Sequence, residues 1–272
     1  MRFEAIHGKV FVAEYSQTKH DAFISFLVQS ELHPNSIAKS SSHLKEFFRF
    51  ISGQGVKVPD PLPEFVTTEI VSSVIFLTVE DLEKWRNVEL DTSLAKVRDS
   101  FLFSCYTGLR YGDLRNLTNV QIVKKGSYHV IELVPEKSRS LNRIPKRIEI
   151  PLMMGALEIL ERYSGSLTSL PIISNQKMNK YLKQVGELAG ITEKCQVIEY
   201  TKGFPIIRYR PKYELITVHV ARHTFATLSL IKGVPIAIIQ KVLGHSDLKT
   251  TMRYAKIVDE YKNAVILDAW KE

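Results

Sequence analysis

His219-Val220-Ala221-Arg222-His223-Thr224-Phe225-Ala226 is the stretch on which the reading turns. Spacings of three and four residues put His219, Arg222 and His223 on one face of a helix. Phe225, Ala226, Leu228 and Leu230 continue an otherwise apolar run, so a core helix carries three polar, cationic or ionisable groups on one side. Two histidines at i and i+4 are also the spacing of a zinc-binding H-E-x-x-H helix. Val220 stands where that motif has its general-base glutamate, and no nearby Cys or third His completes a ligand set. Arg222 on the same face repels a dication. The residues read as an anion site, with no metal.

Three more clusters bear on it. Thr107-Gly108-Leu109-Arg110-Tyr111-Gly112-Asp113-Leu114 ends one helix at Gly108 and sets Arg110 at the start of the next. There Arg110 either grips a phosphate bidentately or pairs on the surface with Asp113 at i+3. Leu243-Gly244-His245-Ser246-Asp247 stops another helix and holds His245 in the corner before a cap at Ser246 or Asp247. Alone it reads as a capping or core histidine. Tyr254 follows in Thr251-Met252-Arg253-Tyr254, and a lone tyrosine is core or interface.

Outward from these, apolar periodicity predicts helices over about 153–163, 176–189, 219–232, 235–243 and 247–268. Thr78-Val-Glu-Asp81 is a capping box leading into Leu82 and Trp85, and a further helix runs over about Ser93–Thr107. Residues 128–134 and 146–152 alternate as two strands around a basic turn, Pro135–Pro145, that holds Lys137, Arg139 and Arg143. Residues 14–52 read as helical, with a break at His33-Pro-Asn-Ser36, a cap at Asn35 or Ser36, and a second helix over about Ile37–Ile51. Lys39, Lys45 and Arg49 lie on the face away from Leu44, Phe47, Phe48 and Ile51; such a face is either solvated or phosphate-contacting. Two Gly and three Pro in residues 53–64 mark a linker, which puts a domain boundary between 53 and 75. The segment 192–216, basic and rich in Tyr, reads as a surface hairpin or one that touches DNA. The fold class is mainly α with a small antiparallel β-sheet.

Composition sets the class of partner. The chain has 272 residues, 37 Lys plus Arg against 29 Asp plus Glu, and a net charge of +8. An isoelectric point near 9.3 is the footprint of a polyanion binder. No apolar run approaches the ~18 residues of a membrane span, and no signal-peptide pattern opens the chain. Cys105 and Cys195 make no disulfide framework, so a cytoplasmic, reducing compartment is expected.

The order Arg110, His219-x-x-Arg222-His223, Leu243-Gly244-His245, Tyr254, with a basic turn after the first element, resembles the tyrosine recombinase (phage integrase) family over about residues 76–258. Asn35–Phe50 more weakly resembles that family's helical core-DNA-binding domain, in the style of Bacteroidetes mobile-element integrases. The resemblance implies a helical (SAM-like) core-DNA-binding domain with linker over 1–64 and a catalytic domain of the DNA breaking-rejoining fold over 65–272. It implies attack by Tyr254 on a scissile phosphate, a 3′-phosphotyrosyl intermediate, a released 5′-hydroxyl, and rejoining without ATP, metal or other cofactor. Arg110 and Arg222 then clamp the phosphate. His219 takes the acid/base position, assisting the tyrosine proton or orienting the phosphate, His245 donates to the phosphate, and Lys137 protonates the leaving oxygen, with Lys146 as fallback. His223 and Asp113 support the arginines, and Lys39, Lys45, Arg49, Arg139 and Arg143 contact DNA. The implied partners are a double-stranded recombination site, three further copies in a tetramer docked through the C-terminal helix, and accessory DNA-bending proteins. Val258, Tyr261, Val265 and Ala269 stripe that helix. The short N-terminal part leaves no room for the additional arm-binding domain of many such integrases. A type IB topoisomerase-like enzyme shares this chemistry, and an inactive DNA-binding relative is the third reading.

Overall fold

The computed structural model describes residues 3–66, 70, 74–136, 147–164 and 170–270. In the last helix, side chains beyond 255 are described at 257–259, 263, 267 and 270. Contacts divide the chain into two compact units, Met1–Ser73 with Gln196–Tyr209, and Val74–Cys195 with Arg210–Glu272.

The first unit is built on a helical pair. A short turn of helix, α1 (Glu4–His7), precedes α2 (Gln17–Gln29) and α3 (Pro34–Gly53). Ser16 caps α2 by accepting the Lys19 N–H. His33, two or three residues earlier than expected, caps α3 by accepting from Asn35 N, with Pro34 at the first helical position. Proline suits that position because its missing N–H would have no partner there. Leu27, Ile37, Ala38 and Phe48 are buried, while Phe47 and Phe50 face outward. Lys39 and Arg49 are exposed and Lys45 is half-buried. At ~100° per residue the three spread over about a third of the helix circumference instead of sharing a narrow face.

The second unit holds α4 (Val79–Asn87), α5 (Thr92–Thr107), α6 (Tyr111–Arg115), a three-stranded sheet, and helices α7 to α12. Thr78 and Asp81 form the expected reciprocal cap on α4. The sheet runs β1 (Ile122–Lys125), β2 (Tyr128–Leu133), β3 (Ile148–Pro151) in order, all antiparallel, with Ile122 opposite Ile131 and Ile131 opposite Ile150. Strand β1 was not expected: four residues ending in Lys124-Lys125 carry too little alternation to be read alone. The helices are α7 (Met154–Arg162), α8 (Asn175–Leu188), α9 (Lys212–Leu215), α10 (Val218–Ile231), α11 (Ile236–Leu243) and α12 (Leu248–Ala269). Between α8 and α9 stands a two-stranded ribbon, β4 (Lys194–Thr201) and β5 (Phe204–Pro211).

Most of this ribbon, Gln196–Tyr209, belongs by contacts to the helical unit, although its chain neighbours lie in the other. Tyr200 meets the His33 ring edge-on at 5.2 Å, and Gly203 at the tip lies against Val28. A ribbon of two strands is marginal by itself, so it needs such a support. Its base is tied into the second unit by Lys212, whose buried ammonium lies 2.7 Å from Asp81 and 3.1 Å from Glu193.

The core of the second unit gathers Trp85, Phe101, Phe103, Leu114, Ile131, Ile150, Met178 and Leu182, all essentially inaccessible. The Trp85 and Phe101 rings are 4.8 Å apart. Burying each such ring contributes roughly 1.5–3 kcal/mol. A smaller cluster, Phe225, Ala226, Ile239, Leu243 and Tyr254, lies between α10, α11 and α12. This second cluster positions the site: α10 packs on α5 with one side and on α12 with another. Among the described residues, no helix is long and apolar enough to cross a membrane.

Candidate active site

Three helix ends meet at one place. Helix α5 stops at Gly108, whose φ of 67° is the left-handed conformation that glycine adopts without strain. That turn delivers Arg110 to the N-cap of α6. Helix α11 stops at Gly244, also left-handed, and presents the Leu243 carbonyl. Helix α10 begins at Val218, whose N–H is taken by the Asn179 side chain at 2.9 Å. Its first turns carry His219, Arg222 and His223.

Arg222 is 3 % exposed. Its Nη1 donates to the Gly108 carbonyl at 2.7 Å and its Nη2 to the Leu243 carbonyl. Arg110 Nη1 reaches the same Leu243 oxygen at 3.4 Å. Two guanidiniums thus share one acceptor, and among the described residues the one carboxylate whose charge favours both is that of buried Asp113. Burial and the neighbouring Arg110 push the Arg222 guanidinium down to about 9, which leaves it charged at neutral pH. Burial likewise lowers Arg110. A pair of cations so incompletely compensated is an anion receptor waiting for charge. A cleft of about 450 Å³ opens on it, lined by Arg110, Asn175, Asn179, Thr217, His219 and Arg222.

Tyr254 is 2 % exposed, and its hydroxyl lies 2.9 Å from His223 Nδ1. Burial raises its phenol, while Arg222, Arg253 and Arg110 pull it the other way. His245 Nδ1 meets the Thr251 hydroxyl at 2.8 Å. Burial, then Arg222, Arg110, His219 and Arg253, depress His245 to about 4. Burial, then His219, Arg253, Arg222 and His245, depress His223 to about 3. Both imidazoles are therefore neutral at pH 7. His219 is exposed, and its ring stands edge-to-face to that of His223 at 4.5 Å.

Of five residues spread over 145 positions of sequence, Arg110, His219 and Arg222 line the cleft, while Tyr254 and His245 lie behind it, near enough for their charges to act on the arginine pair. Two contacts differ from expectation. His223 was expected to brace an arginine and instead meets Tyr254. Asp113 adds its charge to the arginine pair, but its Oδ1 accepts the Glu136 N–H at 2.8 Å, fixing the chain where the turn after β2 begins. Lys137, Arg139, Arg143 and Lys146 lie outside the described residues. Sequence reasoning missed Thr251, Asn179 and Arg253. Thr251 carried a faint signal, one turn before Tyr254 and beside the His245 corner; Asn179 carried none, because its partner Val218 belongs to another helix.

A model of the phage integrase family matches residues 76–260. A tyrosine recombinase of Pseudothermotoga lettingae is 28 % identical over 244 residues, covering 86 % of this chain and 74 % of that one. Tyrosine recombinase XerC of Staphylococcus carnosus is 27 % identical over 267 residues, covering 97 % and 84 %. Among solved structures, XerH recombinase in a post-cleavage complex with palindromic difH has a TM-score of 0.67 at 15 % identity, covering 93 % of this chain and 72 % of that one. The Tn1549 transposon integrase in complex with circular intermediate DNA has a TM-score of 0.64 at 15 % identity, covering 93 % and 85 %. At such identity these structures speak for the fold alone; the family model, matched over 76–260 and so over more than half of the chain, shows that the chain belongs to the phage integrase family, the tyrosine recombinases.

Proposed function

We infer that this protein is a site-specific recombinase that cuts and rejoins double-stranded DNA by transesterification through Tyr254. The observation that carries the reading is the shared grip of Arg110 and Arg222 on the Leu243 carbonyl, with Tyr254 near enough for its charge to act on both. A phosphodiester in the cleft supplies the negative charge that this pair lacks. As Tyr254 Oη attacks, the extra charge of the phosphorane-like transition state falls on oxygens facing guanidiniums already fixed in place, so little reorganisation is needed. The tyrosyl ester keeps the energy of the bond it replaces, and attack by a 5′-hydroxyl reseals the strand.

His219, at the cleft, orients the phosphate. His245, neutral and with Thr251 on Nδ1, donates to a phosphate oxygen from Nε2. Lys137 protonates the leaving 5′-oxygen, and the Glu136 anchor on Asp113 supports that placement by holding the preceding residue. Lys39, Lys45 and Arg49 on α3, with Arg139 and Arg143, contact the DNA backbone. The first 64 residues act as the core-DNA-binding domain and 65–272 as the catalytic domain. Exchange of strands takes four copies, docked through α12, where exposed Leu267 and, just past the helix end, exposed Trp270 support an intermolecular role. Accessory DNA-bending proteins complete the assembly, and the protein works in the cytoplasm, which suits its free cysteines.

The test is covalent trapping. Wild type and Tyr254→Phe are mixed, without metal, with nicked duplexes tiled over the DNA flanking the protein's own gene, then denatured. Protein that migrates with DNA only when Tyr254 is present supports the reading. Metal-free relaxation of supercoiled DNA without site preference favours the topoisomerase-like alternative instead.

A further inference from the structure

We propose that His223 is a catalytic residue: its Nδ1 takes the hydroxyl proton of Tyr254 as Oη attacks phosphorus, and returns it when the strand is resealed. The proposal rests on the recombinase reading and adds to it the identity of the proton acceptor. The two histidines of His219-x-x-Arg222-His223 occupy different places. His219 lines the cleft that receives the phosphate. His223, four residues on and one turn deeper, faces α12 and meets the reacting oxygen itself at 2.9 Å, with ring planes inclined by 55°. That is the reach a general base needs.

The surroundings suit the task. The charged and titratable groups around His223 are His219 and Arg222 on its own helix, Arg253 and Tyr254 on α12, and His245 in the corner after α11. Among the described residues none of these is a carboxylate, so none of them holds a proton on the ring before substrate arrives. The free phenol, its acidity weakened by burial, does not surrender its proton to so weak a base in advance. Transfer belongs to bond formation. As Oη bonds to phosphorus its proton becomes strongly acidic, and the incoming phosphate brings the negative charge that strengthens the imidazole. The step balances: the O–H bond of Tyr254 breaks and an Nδ1–H bond forms, while Oη–P forms and P–O5′ breaks. The leaving 5′-oxygen takes its proton from a separate acid, the role given above to Lys137. In rejoining, the 5′-hydroxyl attacks and gives its proton back to the group that had supplied it, O5′–P forms as Oη–P breaks, and Nδ1–H hands its proton to the departing Tyr254 oxygen.

The experiment follows adduct formation in single turnovers on the same tiled nicked duplexes, with wild type, His223→Ala, His223→Asn and Lys137→Ala. A second duplex set carries a bridging sulfur at the 5′ leaving position. We expect both His223 variants to bind DNA like wild type and to form adduct about 10²–10³-fold more slowly. Their rates should climb with pH, as phenolate forms unaided, where the wild-type rate is level, and added imidazole should partly restore His223→Ala. Sulfur leaves without a proton, so it should rescue Lys137→Ala but neither His223 variant. Adduct formation in His223→Ala as fast as wild type overturns the proposal, because the contact then merely holds the tyrosine. Wild-type speed in His223→Asn, whose amide keeps a hydrogen bond but takes no proton, overturns it as well. If wild type gives no adduct on any duplex, the recombinase reading fails, and the proposal with it.

Discussion

Gly108→Ala tests whether the corner that joins the two arginines is as tightly built as its geometry says. At φ of 67° a residue with a Cβ is strained by roughly 1–2 kcal/mol. The added carbon would also stand 2.6 Å from Phe225 Cδ1 and 2.7 Å from Leu243 Cδ2, both in the buried cluster behind Tyr254. Overpacking of that kind costs about 1–3 kcal/mol. The two contributions together give about 2–5 kcal/mol. The assay is equilibrium unfolding in urea, followed by the fluorescence of buried Trp85. With a slope near 2–3 kcal/mol per molar, the midpoint should fall by about 1–2 M. Gly108→Asn should recover part of the loss, since Asn tolerates positive φ but keeps the clash. Adduct formation should fall too, because the Gly108 carbonyl that holds Arg222 moves with the turn. A midpoint within about 0.3 M of wild type would refute the reasoning.

The remaining predictions concern charge. Arg222→Lys should bind DNA within a few-fold of wild type yet cleave it at least ~100-fold more slowly, since one ammonium cannot hold Gly108 and Leu243 and also fork a phosphate; single-turnover cleavage checks this. Lys212→Met should leave Asp81 buried without its cation and cost about 3–5 kcal/mol, read as a lower urea midpoint, whereas Arg147→Met, on an exposed pair with Glu132, should change it little. His223 and His245 have folded values below the ordinary 6.5, so the unfolded chain takes up protons that the folded one refuses. Stability should therefore drop as pH falls from about 6.5 towards 4, with a shallower drop in His245→Asn; urea midpoints at pH 7.5 and 5 measure it.

What could be read ahead of the structure was what long periodic segments encode. Helices α10, α11 and α12 fall within a residue or so of the positions that apolar spacing assigns, and the cap at Thr78 is a local pattern with a local partner. The short strand β1 escaped notice because half of it is lysine. The ribbon is legible as a hairpin, on the surface or touching DNA, but its attachment to the helical unit depends on Tyr200 meeting a histidine far away in sequence. The site divides the same way. Arg110, His219, Arg222, His245 and Tyr254 stand in motifs whose spacing carries meaning. The atoms that hold the arginines are the backbone carbonyls of Gly108 and Leu243, which no side chain announces. The pairing of His223 with Tyr254 joins two helices and is legible only when both are folded.

The account stands or falls on which atom carries the DNA. Wild-type protein trapped on a nicked duplex is digested with nuclease and protease, and the peptide that retains nucleotide is sequenced by mass spectrometry. The chain has 11 tyrosines. The account predicts a single modified peptide, with a 3′-linked nucleotide on Tyr254, and none from Tyr254→Phe. A nucleotide on another residue, or an adduct that persists in Tyr254→Phe, would contradict it.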